Sequence, residues 1–251
     1  MRLPSVLALA ALGALLGMLA SSRSSATVIS VDSKADIFDA GDLVPSRDGQ
    51  LPPEVLLSGG PGSWVEIASA SGTLNAGPGW PDGGADGGTL GPNGEEGTNV
   101  FSADGISGVV HDRFLFLAGV FLDASSPSPG LEPARLDFRS PEGIGSSFTD
   151  LSPAIAQTFF IGDGLTGTGI GTTQRFHVPA SATRLFLGFV DANVFGWPSG
   201  AAPGAFSDNT GVLSVDLNVV PEPSASVLFV TGLGVFVVCR HSSGRLGSSI
   251  R

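Results

Sequence analysis

The sequence contains one cysteine, Cys239, one lysine, Lys34, no tyrosine and two methionines in 251 residues. A lone cysteine cannot close a disulfide within the chain. Cys239 also lies in an apolar stretch near the C-terminus, so the rest of the chain has no thiolate zinc site and no thiol nucleophile. Stability must therefore come from packing. Positive charge is scarce as well: 12 Lys and Arg stand against 23 Asp and Glu, for a formal net charge of −11. Nucleic acid is excluded as a partner, because phosphates demand clustered Lys and Arg. The acidic excess suits either a solvated surface or oxygen ligands for a hard cation such as calcium.

The two ends read as addresses. In residues 1–26 a positive Arg2 precedes an apolar run from Val6 to Leu19, and small residues (Ala20-Ser21-Ser22, then Ser24-Ser25-Ala26) offer cleavage after Ser22 or after Ala26. This is the layout of a secretion signal helix. At the other end Pro221-Glu222-Pro223 precedes an uncharged run, Val227 to Cys239, which Arg240, His241 and Arg245 follow. As a helix this run covers about 20–24 Å, short of the ~30 Å hydrocarbon core. Snorkelling by Arg240 and local thinning close that gap. Basic residues after the span predict a cytoplasmic C-terminus, which leaves the middle of the chain outside, as the secretion signal also requires.

The order of Pro-Glu-Pro motif, short transmembrane helix and basic end resembles the PEP-CTERM sorting tail, over residues 220–245, with residues 246–251 left as a tail. The resemblance implies that signal peptidase acts first. An exosortase, an intramembrane cysteine transpeptidase, then releases or re-anchors a protein held transiently in the inner membrane. The chain departs from the family in having scattered arginines instead of a dense basic cluster.

Between the ends, residues 27–61 are expected to form an irregular lead-in and residues 62–219 a single all-β domain. Short apolar runs separated by Gly, Pro, Asp and Asn predict strands at Trp64–Ala70, Phe114–Leu122, Arg135–Phe138, Thr158–Ile161, Arg175–Val178, Thr183–Asp191 and Gly211–Val219. In the last, Leu213, Val215, Leu217 and Val219 share one face. Phe114–Leu122 is apolar on both faces and predicts a central strand. The pattern points to a jelly-roll β-sandwich flanked by the signal helix and the single membrane helix. Gly77 to Gly97 reads as a long loop, too rich in glycine to pack.

Few motifs in the middle carry chemistry. Gly162, Gly164 and Gly167 match Gly-x-Gly-x-x-Gly, but no helix opens after them to meet a pyrophosphate, and a glycine-rich hairpin is expected. His111 reads as a turn residue and His177 as a solvent-facing strand residue. No Gly-x-Ser-x-Gly elbow or close carboxylate pair accompanies them, so no enzyme is expected. Asp191 closes one predicted strand, while Asp208 and Asn209 open another. Two carboxylates, an amide oxygen and loop carbonyls there suit calcium; Asp and Asn are equally common turn formers at strand ends. Trp80 and Trp197, in Gly/Pro-rich loops, either stack on a sugar ring or cover the open end of the sandwich.

The series Gly91-Pro92-Asn93-Gly94, Gly105-Ile106-Ser107-Gly108, the Phe114–Leu122 strand and Thr183 to Asp191, ending in Asp208-Asn209-Thr210-Gly211, resembles the calcium-dependent galactophilic lectin of pseudomonads, a galactose-binding-like sandwich. The likeness spans about residues 62–219. It implies calcium at Asp191, Asp208 and Asn209, a further carbonyl near Asn75 or Ala76, and a glycan that coordinates the ion through its hydroxyls. Thr98 and Phe101 stand roughly where the family's sugar-contacting His and Gln would be, and the loop from Ala192 to Phe206 is longer than in the family.

The expectation is an exported surface or matrix protein with a lectin-like sandwich that binds extracellular polysaccharide through calcium. The alternative is a structural matrix protein with no specific small ligand. Replacing Pro221-Glu222-Pro223 by alanines is expected to abolish released or surface-displayed protein in a fractionation experiment. Unchanged sorting would reduce the tail to a plain anchor.

Overall fold

The most regular alternation in the sequence becomes the longest strand. A computed structural model describes residues 25–60, 62–89, 91, 97–193, 195 and 199–221. The secretion signal, the tail from Glu222 onward (Pro223 and Arg240 included) and Trp197 lie outside the described residues. The strands are β1 (Ser25–Asp32), β2 (Glu54–Leu56), β3 (Trp64–Asn75), β4 (Thr98–Val100), β5 (Val109–His111), β6 (Leu117–Leu122), β7 (Leu136–Asp137), β8 (Asp150–Leu151), β9 (Thr158–Phe160), β10 (Leu165–Gly167), β11 (Ile170–Thr173), β12 (Arg175–His177), β13 (Arg184–Phe189) and β14 (Thr210–Val220). Two 3-10 turns, η1 (Ile37–Asp39) and η2 (Phe206–Asp208), complete the elements. Among the described residues there is no α-helix, and no helix long and apolar enough to cross a membrane.

Four sheets result, with strand orders β1-β14-β3-β12-β8, β2-β13-β6-β9, β4-β5-β7 and β10-β11. β14 runs antiparallel to β3 from Thr210 opposite Asn75 to Val220 opposite Trp64, with a bulge between Asp216 and Leu217. Its other edge pairs with β1, Asp32 opposite Val212 through Ser25 opposite Val219. Leu213, Val215, Leu217 and Val219 are all buried, as their alternation predicts. In the second sheet β6 lies between β13 and β9, and all six of its residues are buried.

Buried side chains of these two sheets belong to one core cluster. Phe159 of β9 meets Phe176 of β12 at a ring distance of 5.4 Å, and Phe121 of β6 stacks on Phe159 at 5.1 Å, so aromatic contacts run from one sheet to the other. The described residues are thus all-β and consistent with a β-sandwich.

Several expectations are corrected. Residues 27–61 are not an irregular lead-in: they hold most of β1, all of η1 and β2, and the fully buried Val31, Ile37 and Phe38. An edge strand that borrows its hydrogen bonds from β14 needs little local pattern of its own, which hid it. The predicted strand Phe114–Leu122 begins only at Leu117, because Leu115 takes a left-handed φ of 46° that strand geometry does not allow. The stretch Gly77–Gly97 is a loop, yet part of it packs. Ala85 and Asp86 are buried, and Gly88 pairs with Phe114. A Cβ at Gly88 would lie 2.1 Å from the Phe114 ring, so the missing side chain is what permits the packing. At Gly162–Gly167, by contrast, the chain enters the hairpin β10–β11, as the glycine-rich pattern predicts.

His111 is a buried strand residue, not a turn residue. Its ring lies 4.6 Å from Phe160, 4.7 Å from Phe116 and 5.8 Å from Phe138, and neither nitrogen has a hydrogen-bond partner. Burial, helped by the positive Arg113, pushes its pKa from the usual 6.5 to about 3, while Asp137 acts weakly the other way. The folded state therefore refuses a proton that the unfolded chain accepts. This contribution is fully present above about pH 6.5 and is lost as pH falls toward 3. Chemical denaturation of His111→Leu is expected to show a stability that holds up better on acidification. The difference from wild type should shift by up to about 1.4 kcal/mol per pH unit between pH 6 and pH 4. Parallel pH curves for the two proteins would contradict the neutral buried imidazole.

Candidate functional site

The end of β13 and the start of β14 meet in one corner because a third segment, residues 32–50, stitches them together. Asp36 bridges Phe189 at the end of β13, with Phe189 N–H donating to the Ala35 carbonyl at 2.8 Å. Ser33 N–H donates to the Gly211 carbonyl of β14 at 3.0 Å. Asp191, two residues past β13, and Asn209, one residue before β14, are thereby brought together.

Asp191 is 2% exposed and Asn209 is wholly buried. The Asp191 Oδ1 accepts the Ala192 N–H at 2.6 Å, while its Oδ2 has no hydrogen-bond partner. Asn209 donates from Nδ2 to the Ser33 carbonyl at 3.1 Å, and its Oδ1 likewise has no partner. Burial pushes the Asp191 carboxyl well above the usual carboxylate range. The Asn209 side chain and the Ala192 N–H oppose that rise, and the negative Asp208 and Asp48 add to it. Each buried oxygen left unpaired costs about 1–3 kcal/mol. Two on neighbouring side chains, within reach of further carboxylates, are what a bound cation would relieve.

Asp208 is exposed and lies over the turn after β3. A Cβ added to Gly77, whose φ is 114°, would come within 2.5 Å of the Asp208 Oδ2. The β3 end, with Asn75 opposite Thr210, therefore lies alongside Asp208, on the side where a carbonyl near Asn75 or Ala76 was expected. Among the described residues no three His, Cys, Asp or Glu side chains are grouped to hold a metal ion. Amide, hydroxyl or backbone oxygens would have to supplement the carboxylates, a mixed oxygen shell that calcium accepts.

Four acids absent from the sequence reading, Asp48, Asp36, Asp39 and Asp104, shape this corner and the segment behind it. Asp48 accepts the Phe206 and Ser207 N–H groups, both at 3.2 Å, and so caps η2, which leads into Asn209. Partial burial raises its pKa, but the hydrogen bonds from Ser207 and Phe206 outweigh this and hold it below the usual value. Its neighbour Arg47 pairs with Asp36, with Asp39 at 2.8 Å and with Asp104. The side chains of Asp36 and Asp39 are fully buried. Burial pushes Asp36 up to about 6, with Arg47 pulling it down. No spacing rule marks these residues; only the folded path of the 32–50 segment does.

Of the other predicted residues, Trp80 is half-buried and edge-packed against Phe114 at 4.6 Å and Phe195 at 5.1 Å. Thr98 is buried, and its hydroxyl donates to the Arg113 carbonyl at 2.6 Å. Phe101 is 45% exposed, with the Arg135 guanidinium 5.6 Å from its ring centre. His177 is half-exposed and pairs with Asp150 at 3.0 Å.

Fold and site together define an all-β protein of small sheets with a buried, incompletely satisfied carboxylate–amide pair at two strand ends. No family model, no curated protein and no solved structure matches the chain.

Arg47→Met would leave two buried carboxylates without their cation and is expected to lower stability at neutral pH by about 3–5 kcal/mol. The loss should shrink as pH falls toward 6, because without Arg47 to pull it down the Asp36 carboxyl takes up its proton above the value of about 6 that it has in the wild type. Urea melts across that range check both; a loss below about 1 kcal/mol would show that the pairs do not hold the segment.

Proposed function

We propose that this is an exported surface or matrix protein whose β domain binds calcium at Asp191, Asp208 and Asn209 and uses the ion to hold extracellular glycan. The observation that carries the reading is the pair of buried oxygens, Asp191 Oδ2 and Asn209 Oδ1, left without partners in an acidic corner. In such a site calcium would supply a binding point for sugar hydroxyls, while the chain's own residues hold the ion and seal its inner side. On this reading the fold is a galactose-binding-like jelly roll, and the module binds rather than catalyses. Export rests on the secretion signal and the Pro-Glu-Pro tail, with exosortase-type processing after signal peptidase. β1 begins at Ser25, so cleavage after Ser22 would leave the whole strand in place, whereas cleavage after Ala26 would remove its first two residues.

One observation favours the alternative of a structural matrix protein. Trp80 packs its ring against Phe114 and Phe195, and the Thr98 hydroxyl is already taken, so two of the side chains best suited to a sugar are engaged elsewhere.

Calorimetric titration of the full chain with calcium is expected to show one site, lost in Asp191→Asn and weakened in Asp208→Ala. Retention on immobilised polysaccharide should disappear with chelator. No heat at millimolar calcium would remove the site; calcium binding without chelator-sensitive retention would leave the structural reading.

A further inference from the structure

We infer that the free edge of β1 pairs with β1 of a second copy of this chain, antiparallel and in one register. β1 is the end strand of its sheet, and at 8 residues it is at least twice as long as any other end strand among the described residues. Which of its backbone groups are open follows from one hydrogen bond. Ser33 N–H donates to the Gly211 carbonyl, and these two residues continue the register in which Asp32 faces Val212 and Ser25 faces Val219. In an antiparallel ladder, bonded and non-bonded pairs alternate. Val31, Ile29, Thr27 and Ser25 therefore turn their N–H and C=O groups to β14, while Ser30, Val28 and Ala26 turn theirs to the open edge. All three are exposed, Val28 at 68%, and no described residue outside β14 hydrogen-bonds to them. The open edge ends at Asp32, whose carbonyl accepts the Ala35 N–H at 2.9 Å.

Natural sheets guard such an edge with Lys, Pro, a bulge or a short strand. β1 has none of these. Ser25 to Val31 carries no charge, Pro or Gly, and its register with β14 is unbroken.

Symmetry and charge select the occupant. The open groups of residues 26, 28 and 30 are spaced evenly about Val28. A copy turned by a two-fold axis through Val28 sets Val28 opposite Val28 and Ala26 opposite Ser30, and each pair exchanges two backbone hydrogen bonds. The exposed Val28 side chains then pack against each other on one face. Asp32, the one charged residue of the strand, falls beyond the paired stretch. An in-register parallel pairing would instead set Asp32 beside Asp32, like charges together. The pairing needs no calcium. It would present the Asp191 corner once per copy, an arrangement that favours a repeating polymer.

The test is sedimentation of the full chain in mild detergent over a concentration series, in calcium and in chelator. Wild type is expected to form a dimer that dilution dissociates, alike in both. Val28→Pro removes an N–H that β14 does not use, so the domain should fold as before. The dimer's dissociation constant should rise about 10–100-fold, because both hydrogen bonds on the axis are lost. Val28→Asp keeps the backbone intact, sets like charges face to face on the axis and should abolish the dimer too. Leu56→Asp, at a 74% exposed position of the other sheet, should dimerise as wild type does. Disulfides read the register in a Cys239→Ser background. On mild oxidation Val28→Cys should cross-link to its counterpart and Ser30→Cys alone should not, while Ser30→Cys combined with Ala26→Cys should. A wild type that stays monomeric at every soluble concentration overturns the proposal and leaves the edge to a foreign strand or to the chain's own ends. A dimer that survives both Val28→Pro and Val28→Asp is built elsewhere on the molecule, which overturns it equally. Cross-linking of Val28→Cys and Ser30→Cys to the same extent would rule out the two-fold register.

Discussion

The double pairing of β14 is the constraint on which the rest of the structure depends. β1 covers one edge and β3 the other, so a strand of 11 residues has its backbone groups satisfied on both sides while every second side chain enters the core. Register is rigidly specified in such a strand. A slip by one residue would turn Leu213, Val215, Leu217 and Val219 outward together. The same register sets the residue just before the strand: Asn209 reaches the Ser33 carbonyl only because Asp32 lies opposite Val212.

The domain buries several acidic residues and treats them in different ways. Asp36 and Asp39 share the Arg47 guanidinium, so the cost of burying them is partly offset by ion pairing and hydrogen bonds. Asp86 is partly satisfied by the Asp163 N–H at 3.0 Å. Among the described residues no cation pairs with Asp191, and its neighbours of like charge, Asp208 and Asp48, add to the cost of burying it. That difference separates acids paired with a partly buried cation from one buried among like charges.

Reading the chain residue by residue recovered the strands that carry their own pattern. β3, β6, β9, β12, β13 and β14 were expected within a few residues of where they form, because period-two apolarity and the Gly and Asp that end it are local properties. Short strands such as β4, β5 and β8, and the edge strand β1, escaped because their stability is lent by neighbours distant in sequence. The same holds at the site. Asp191, Asp208 and Asn209 were legible as oxygen donors at strand ends. Asp48 and Ser33 were not, since a lone Asp or Ser in a segment with no periodicity carries no signal.

By itself the sequence determined the all-β character, the inward face of β14, the glycine-rich hairpin at β10–β11 and the expectation of export, for these follow from composition and short-range order. Tertiary structure alone decided that His111 is sealed among phenylalanines, that Trp80 packs against Phe114 and Phe195, and that the first segment of the domain reaches back to the corner of Asp191 and Asn209. Burial and partnership are set by residues far apart along the chain. Until the strands are paired, no local pattern says which polar atoms will be left facing one another.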